Sequence, residues 1–310
     1  MAEPLAFLFP GQGSQAIGMG KELAEEFPRA RDTFAEADAA LGFPLTALCF
    51  EGPEEKLNLT ENTQPALLAC SWALARVLRE DVGLAPAWAA GHSLGEFTAL
   101  VAAGTLRFAD ALRLVRERGR AMQEAVPVGK GGMAAILGLE LEDIEALCAE
   151  AADGEVVAPA NLNGPGQVVI AGTTAAVARA AAIAKDRGAK RVVELAVSAP
   201  FHCALMEPAA RRLEQALAEV EIKAPVIPVI ANVTAEPYPG ADAVRDLLVR
   251  QVTSPVRWQD CVGALERLGC GLALEVGPGS VLSGLVRRIT SGIRCLPASD
   301  VQKLQQQLAA

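Results

Sequence analysis

The pentapeptide Gly91-His92-Ser93-Leu94-Gly95 constrains the fold of this chain more than any other stretch. Residues 87–90 before it form an apolar run, and residues 96–103 after it have the pattern of a helix. A G-x-S-x-G sequence between a strand and a helix predicts a sharp turn that lifts the serine hydroxyl clear of a sheet. Ser93 is therefore the candidate nucleophile. A tight glycine turn with an incidental serine is the alternative interpretation.

The size and charge of the chain narrow the class of protein. Its 310 residues, 51% of them hydrophobic, suffice for a large α/β domain with an insertion or for two domains. The formal net charge of -9 argues against binding to nucleic acid or to an anionic membrane, since both require a basic surface. Small molecules or proteins are the expected partners.

Cysteine and histidine usage bears on compartment and metal content. The seven cysteines are scattered and form no C-x-x-C pair, which fits a reducing compartment better than a disulfide framework. There are two histidines and no zinc-ligand spacing, so no metal site is expected. No basic leader precedes the short apolar run 5–9, and polar residues interrupt the longest uncharged stretch, 156–178. We expect a cytoplasmic protein without a membrane span.

A glycine-rich loop follows the first predicted strand. Residues 5–9 form a continuous apolar run, typical of a buried parallel strand, and the sequence PGQGSQ follows at 10–15. A phosphate loop is disfavoured, because no Gly-Lys-Ser/Thr follows. Glycines do allow backbone N–H groups to approach a substrate closely. If the two strands are neighbours, the N–H of Gln12 joins that of Leu94 in an oxyanion hole.

The order of predicted elements indicates two units. Between residues 127 and 197 the pattern is β-α-β-β-α-β, the ferredoxin-like unit. Strands alternate with helices on both sides of it, which predicts a mostly parallel sheet. We therefore predict an α/β-hydrolase-like large catalytic domain, 1–126 and 198–310, with a ferredoxin-like domain inserted at 127–197. The cleft between the domains is the expected site.

Further elements of the large domain are predicted from apolar periodicity and from proline and glycine positions. A helix is expected from about Ala66 to Glu80, opened by Pro65, and a long helix is expected over 204–221. A strand is predicted over 226–231 and another over 191–197. The helix that contains Arg287 and Arg288 is predicted to be the last.

A serine nucleophile needs a base within hydrogen-bond reach, and imidazole is the usual one. His92 directly precedes Ser93 and should point elsewhere in a tight elbow, where it packs or shapes the turn. His202 lies where the inserted domain returns to the large one, so it can line the cleft. His202 is the candidate base; a histidine that merely caps a turn is the alternative.

Several motifs, in the right order, make the whole chain resemble the malonyl-CoA:acyl carrier protein transacylase family of acyltransferases. They are residues 11–15 (GQGSQ), 91–96 (GHSLGE), 118–122 (RGRAM), Asn161, 200–202 (PFH), Gln251 and 276–279 (VGPG). Together they are far more specific than the pentapeptide alone.

The resemblance implies a role for further residues. Arg118 is expected to hold the free carboxylate of a malonyl group, because a guanidinium offers a planar fork to a carboxylate. The backbone carbonyl of Gln251, rather than an aspartate, is expected to orient His202. Phe201 resembles the malonyl-type turn of polyketide acyltransferase relatives, and Asn161 is expected to line the site with His92.

The implied reaction is a two-step, ping-pong acyl transfer. Ser93 accepts malonyl from coenzyme A, which enters as a thioester substrate and not as a bound cofactor. The phosphopantetheine thiol of acyl carrier protein then removes it. A serine esterase or thioesterase and a loading enzyme of polyketide synthesis are the rival functions.

Acyl carrier proteins are acidic as a class, so docking on a chain of net charge -9 requires a local basic patch. The expected contributors lie in the insertion and in the helix after the Gly-Pro-Gly loop: Arg187, Lys190, Arg191, Arg287 and Arg288. Scattered solvated charges are the alternative interpretation.

Overall fold

The computed structural model describes residues 4–195, 197 and 199–309. Its strands are β1 Leu5–Phe9, β2 Trp88–Gly91, β3 Gly131–Leu137, β4 Val157–Gly164, β5 Gln167–Thr173, β6 Arg191–Glu194, β7 Val229–Ile230, β8 Leu272–Glu275 and β9 Arg294–Pro297. Its helices are α1 Lys21–Glu26, α2 Pro28–Leu41, α3 Leu45–Glu51, α4 Glu54–Leu57, α5 Thr60–Glu80, α6 Leu94–Ala102, α7 Phe108–Ala125, α8 Leu141–Ala152, α9 Thr174–Asp186, α10 Glu207–Ala218, α11 Ala241–Thr253, α12 Trp258–Arg267, α13 Val281–Ile289 and α14 Val301–Ala309.

The larger sheet has five strands in the order β7-β2-β1-β8-β9, and all four pairings are parallel. The central strand β1 is apolar throughout because helices cover both faces of the sheet. Phe7 and Phe9 pack into one core cluster, whereas Ala6 and Leu8 pack into another. The predicted parallel sheet is confirmed.

The smaller sheet has four antiparallel strands in the order β4-β5-β3-β6. Helices α8 and α9 share an apolar core with its strands. This is the strand order of a ferredoxin-like unit, so the predicted fold class is confirmed. The exact domain limits stay a prediction, and the boundary residue Ser198 lies outside the described residues.

Two predicted elements of the large domain are shorter in the structure. The strand expected over 226–231 is reduced to β7, because Pro228 has no N–H for a sheet ladder. The helix expected over 204–221 begins with a 3₁₀ turn, Ala204–Met206, and becomes α-helical only from Glu207 to Ala218.

Other predicted limits also differ from the structure. Helix α5 begins at Thr60, six residues before the expected start, so that Pro65 lies inside it. Packing of the buried residues Thr63 and Gln64 outweighs the hydrogen bond that proline removes. The helix with Arg287 is not the last, since β9 and α14 follow it. Strand β6 ends at Glu194, and Ala196 of the longer predicted strand lies outside the described residues.

Candidate active site

A strand–turn–helix elbow places Ser93 at the carboxyl end of the parallel sheet. Strand β2 ends at Gly91, helix α6 begins at Leu94, and Ser93 between them has φ 51° and ψ -104°. Both glycines are required by close packing: a Cβ on Gly91 would lie 2.0 Å from the Gly95 carbonyl oxygen, and one on Gly95 would lie 2.0 Å from that of Phe9. The elbow predicted from the sequence is confirmed.

The side chain of Asn232 holds this elbow from both sides. Its Oδ1 accepts a hydrogen bond from the Ser93 N–H at 2.7 Å, and its Nδ2 donates to the Gly91 carbonyl at 2.7 Å. Asn232 is fully buried and follows the edge strand β7, which pairs with β2. No local sequence pattern marks Asn232, because only the pairing of β7 with β2 places it beside the elbow.

Ser93 and His202 lie together although 109 residues separate them. The Ser93 Oγ is 2.7 Å from the His202 Nε2, and the His202 Nδ1 is 2.8 Å from the Gln251 carbonyl oxygen. A carbonyl can only accept, so the proton of a neutral His202 ring resides on Nδ1. The Nε2 is then free to accept the Ser93 proton, as a general base must. A backbone carbonyl takes the orienting position that an aspartate has in a Ser-His-Asp triad.

The surroundings of His202 favour its neutral form. Burial lowers the pKa of His202 to about 3, and the positive charge of Arg118 lowers this pKa as well. Burial also lowers the pKa of His92. At neutral pH the His202 ring is therefore uncharged and is ready to accept a proton.

Nuclear magnetic resonance of the imidazole nitrogens tests this, because the chain has only two histidines. We expect His202 not to titrate between about pH 6 and about pH 8 and to show the Nδ1–H tautomer, and we expect the pKa of His92 to lie below the ordinary histidine value. The His92→Gln variant assigns the two sets of signals. A His202 midpoint near pH 6.5, or the Nε2–H tautomer, would contradict the geometry.

Arg118 lies on the buried face of α7 and reaches the nucleophile. Its Nη1 donates to the Gln64 Oε1 at 2.9 Å, and its Nη2 donates to the Gln251 Oε1 at 2.8 Å and to the Ser93 Oγ at 3.0 Å. Its buried Nε has no hydrogen-bond partner within the described residues. Burial lowers the pKa of Arg118 to about 10, against the charge of Glu96, so the guanidinium stays charged at neutral pH.

A cavity of about 120 Å³ opens beside these groups. Eight of the predicted site residues line it: Gln12, His92, Ser93, Leu94, Arg118, Asn161, Phe201 and His202. Met133 of β3 and Leu195 after β6 contribute the wall from the smaller sheet. The site thus lies between the two sheets, and Gln251 is fully buried behind it.

The neighbouring ends of β1 and β2 bring the glycine loop to the elbow. Phe9 is in register with Gly91, and the His92 N–H donates to the Phe9 carbonyl at 3.0 Å. Gln12 therefore lies beside Ser93, with its side chain directed to the Thr60 hydroxyl at 3.3 Å. Leu94 is the first residue of α6, so its N–H has no acceptor within the helix. The arrangement supports the two proposed oxyanion donors.

His92 contacts the smaller sheet and helix α12 rather than forming a hydrogen bond with the nucleophile. Its Nε2 is 2.9 Å from the Asn163 Oδ1, and its ring lies 5.6 Å from that of Trp258. Close by, the Leu162 N–H of β4 donates to the Val256 carbonyl at 2.8 Å. These contacts connect β4 to the large domain, and His92 has a packing role in them.

Among the described residues, no three histidine, cysteine or acidic side chains are grouped so as to hold a metal ion. Every helix in the described part of the chain is too short or too polar to cross a membrane.

The elbow and the Ser93–His202 pair are typical of enzymes that transfer acyl groups through a serine, and comparison with protein families identifies the class. The model of the acyl transferase domain matches residues 6–304. The chain belongs to this family.

Within the family, the chain is similar to malonyl CoA-acyl carrier protein transacylases. It is 55% identical to that of Escherichia coli strain K12 over 284 residues, which are 92% of each protein. The structure of the enzyme of this name from Coxiella burnetii has 45% identity and a TM-score of 0.97, and covers 99% of this chain and 97% of its own. A type II PKS acyl-carrier protein in complex with its malonyl-transacylase shows 49% identity and a TM-score of 0.94, over 98% of this chain and 100% of the other.

Proposed function

We propose that the chain is a malonyltransferase that moves malonyl from coenzyme A to the phosphopantetheine thiol of an acyl carrier protein, through a malonyl ester of Ser93. The observation that carries this proposal is the convergence of Ser93, His202 and the buried guanidinium of Arg118 on one cavity. A nucleophile with a neutral base performs acyl transfer, and a buried cation beside it favours an acyl group that ends in a carboxylate.

In the first half-reaction, the Ser93 Oγ attacks the thioester carbonyl and its proton passes to the His202 Nε2. The N–H groups of Gln12 and Leu94 stabilise the oxyanion of the tetrahedral intermediate. The carbon–sulfur bond then breaks, and His202 gives its proton to the departing sulfur of coenzyme A. Ser93 now carries malonyl.

The second half-reaction repeats these steps with a different thiol. His202 takes the proton of the carrier-protein thiol, whose sulfur attacks the malonyl ester. The carbon–oxygen bond to Ser93 breaks, and the proton returns to the Ser93 Oγ. Coenzyme A is a substrate in this scheme, and no bound cofactor takes part. The proposed location of the protein is the cytoplasm.

A thioesterase would share the first half-reaction but release malonate to water. Initial rates measured with malonyl-CoA and holo carrier protein as the varied substrates distinguish the two. A transferase gives parallel double-reciprocal lines and loses little malonate in the presence of carrier protein. Intersecting lines, or hydrolysis faster than transfer, would contradict the proposal.

Malonyl supply to polyketide synthesis is the second candidate. The structural neighbour described above acts with a polyketide carrier protein, and a polyketide biosynthesis protein of Burkholderia thailandensis is 46% identical over 284 residues, although these are only 24% of that protein. Supply of malonyl for fatty acid synthesis agrees with the names of the full-length relatives. Transfer rates to a fatty acid carrier protein and to a polyketide carrier protein, compared directly, decide between them.

The carrier protein docks on a basic patch, which we define as Lys190, Arg191, Arg287 and Arg288. All four are exposed. Arg191 and Gln167 both pair with Leu137 in the smaller sheet, and the Gln167 Oε1 accepts a hydrogen bond from Arg288 at 2.9 Å. These contacts bring β6 and α13 to the same end of that sheet. Arg187, the fifth predicted residue, is engaged by Glu150 at 2.5 Å.

Charge reversal tests the basic patch. The double variant Arg287→Glu and Arg288→Glu should raise the carrier-protein KM about tenfold, because docking charges act on association. The effect should shrink as salt is added. Arg211→Glu on α10, also exposed, is the matched control and should leave this KM unchanged. An unchanged KM in the double variant would favour scattered solvated charges.

A further inference from the structure

Glu96 is a buried carboxylate that the reaction scheme does not use. It lies in the first turn of α6, three residues after the nucleophile, and is 1% exposed. Its Oε1 accepts a hydrogen bond from the Tyr238 hydroxyl. Its Oε2 accepts one from the Gln251 Nε2 at 2.6 Å and one from the Asn232 N–H at 3.3 Å. A carboxylate is rarely buried unless its oxygens are satisfied in this way.

The contact with Asn232 connects Glu96 to the elbow. The Asn232 side chain binds the backbone on both sides of the turn, at the Ser93 N–H and at the Gly91 carbonyl. Ser93 has an unfavourable positive φ, so the turn persists only while surrounding groups hold it. Through the Asn232 backbone, Glu96 fixes the group that holds Ser93.

The contact with Gln251 connects Glu96 to the other two functional groups. The Gln251 Nε2 donates to Glu96 and to the Ser93 carbonyl, so its Oε1 must face Arg118, which donates to it at 2.8 Å. The backbone carbonyl of the same residue accepts from the His202 Nδ1. One residue therefore orients the base and the guanidinium, and Glu96 and the Ser93 carbonyl together determine which way its amide points.

We infer that Glu96 is a positioning residue, which aligns Ser93 through Asn232 and aligns Arg118 through the Gln251 amide. This inference rests on the proposed function. Acceptor atoms are needed at position 96 because the Gln251 Nε2 and the Asn232 N–H can only donate. An amide at this position can still accept from both through its oxygen while its N–H pairs with the Tyr238 hydroxyl, whereas an apolar side chain removes the acceptor. With an apolar side chain there, the Gln251 amide would turn or shift, and Arg118 would lose an acceptor.

Loss of the contacts that Glu96 makes has a specific kinetic consequence. Misplacement of Arg118 affects a substrate that ends in a carboxylate, whereas acetyl has no such group. Misplacement of Ser93 affects both substrates. Loss of Glu96 should therefore slow both acylations and lower the preference for malonyl, whereas partial unfolding would reduce the amount of active enzyme without changing the preference.

The test is the rate of Ser93 acylation in single turnovers with malonyl-CoA or acetyl-CoA. For Glu96→Leu, which offers no acceptor, we expect malonyl acylation to slow about 30- to 100-fold and the malonyl-to-acetyl ratio to fall about tenfold, with an unchanged burst amplitude. Tyr238→Phe is the matched control, since it removes a hydrogen bond to Glu96 without touching Gln251 or Asn232. It should keep both rates within about threefold.

A double-mutant cycle tests the route through Gln251. The variant Gln251→Met keeps the backbone carbonyl and removes the amide, so its loss of malonyl preference should not deepen when Glu96→Leu is added. Additive effects, or an unchanged ratio in Glu96→Leu, would overturn the inference. If Glu96→Leu does not fold, an unchanged ratio in Gln251→Met alone overturns it. Failure of the wild type to form malonyl-Ser93 would instead refute the proposed function.

Discussion

Replacement of Ser93 by alanine should lower malonyl transfer by roughly 10⁴- to 10⁶-fold, the scale seen when a serine nucleophile is removed from an enzyme that uses it covalently. The Ser93 Oγ is the atom that forms hydrogen bonds with both His202 and Arg118, so alanine leaves the base and the guanidinium without a nucleophile. The fold should survive, because Asn232 holds the turn through the Ser93 backbone N–H. The measurement is the initial rate of malonyl transfer to holo carrier protein.

The control for this substitution is Ser291→Ala, an exposed serine after α13 that should retain full activity. Thermal unfolding of the Ser93→Ala protein checks that the loss of rate is not a loss of structure. Substantial transfer by folded Ser93→Ala protein would remove the covalent intermediate from the mechanism, since no ester could then form at this position.

Replacement of Arg118 by alanine should lower kcat/KM for malonyl-CoA by about 10²- to 10³-fold, because a buried, charge-assisted pair with the substrate carboxylate is lost. Transfer of acetyl should fall less than about tenfold, since acetyl has no carboxylate to lose. The measurement is the ratio of the two kcat/KM values in wild type and variant.

Arg120 provides the matched control on the same helix. It is exposed and pairs with Glu117, and exposed ion pairs contribute little, so Arg120→Ala should behave as wild type. Equal losses for malonyl and acetyl in Arg118→Ala would mean that the guanidinium only supports the site and does not select the acyl group.

The sequence predicts those parts of the molecule that depend on local patterns. The elbow is predictable because two glycines and a serine occur between a strand pattern and a helix pattern. The ferredoxin-like unit is predictable because six elements follow each other in its characteristic order. His202 follows by elimination, since only one other histidine is present.

Arg118 is predicted from the family resemblance and not from a local pattern. A signal was nevertheless present: Ala111, Val115, Arg118 and Met122 are spaced by three or four residues and form the buried face of α7. Arg113, Arg116 and Arg120 lie off this line. An arginine on the apolar face of a helix requires partners for its charge, and so marks a candidate site.

Asn232, Glu96 and the side chain of Gln251 could not be derived from any local pattern. Their contacts join residues 133 to 158 positions apart and depend on which strand lies next to which. The two-residue strand β7 brings Asn232 to the elbow, and α11 brings Gln251 beneath the site. Tertiary packing alone creates these contacts.

The most direct test of the central claim is mass spectrometry of the protein after incubation with malonyl-CoA. We predict one malonyl adduct, located on Ser93, which holo acyl carrier protein removes as malonyl-carrier protein appears and which Ser93→Ala protein does not form. An adduct on another residue, or malonyl transfer without any adduct on Ser93, would contradict the account.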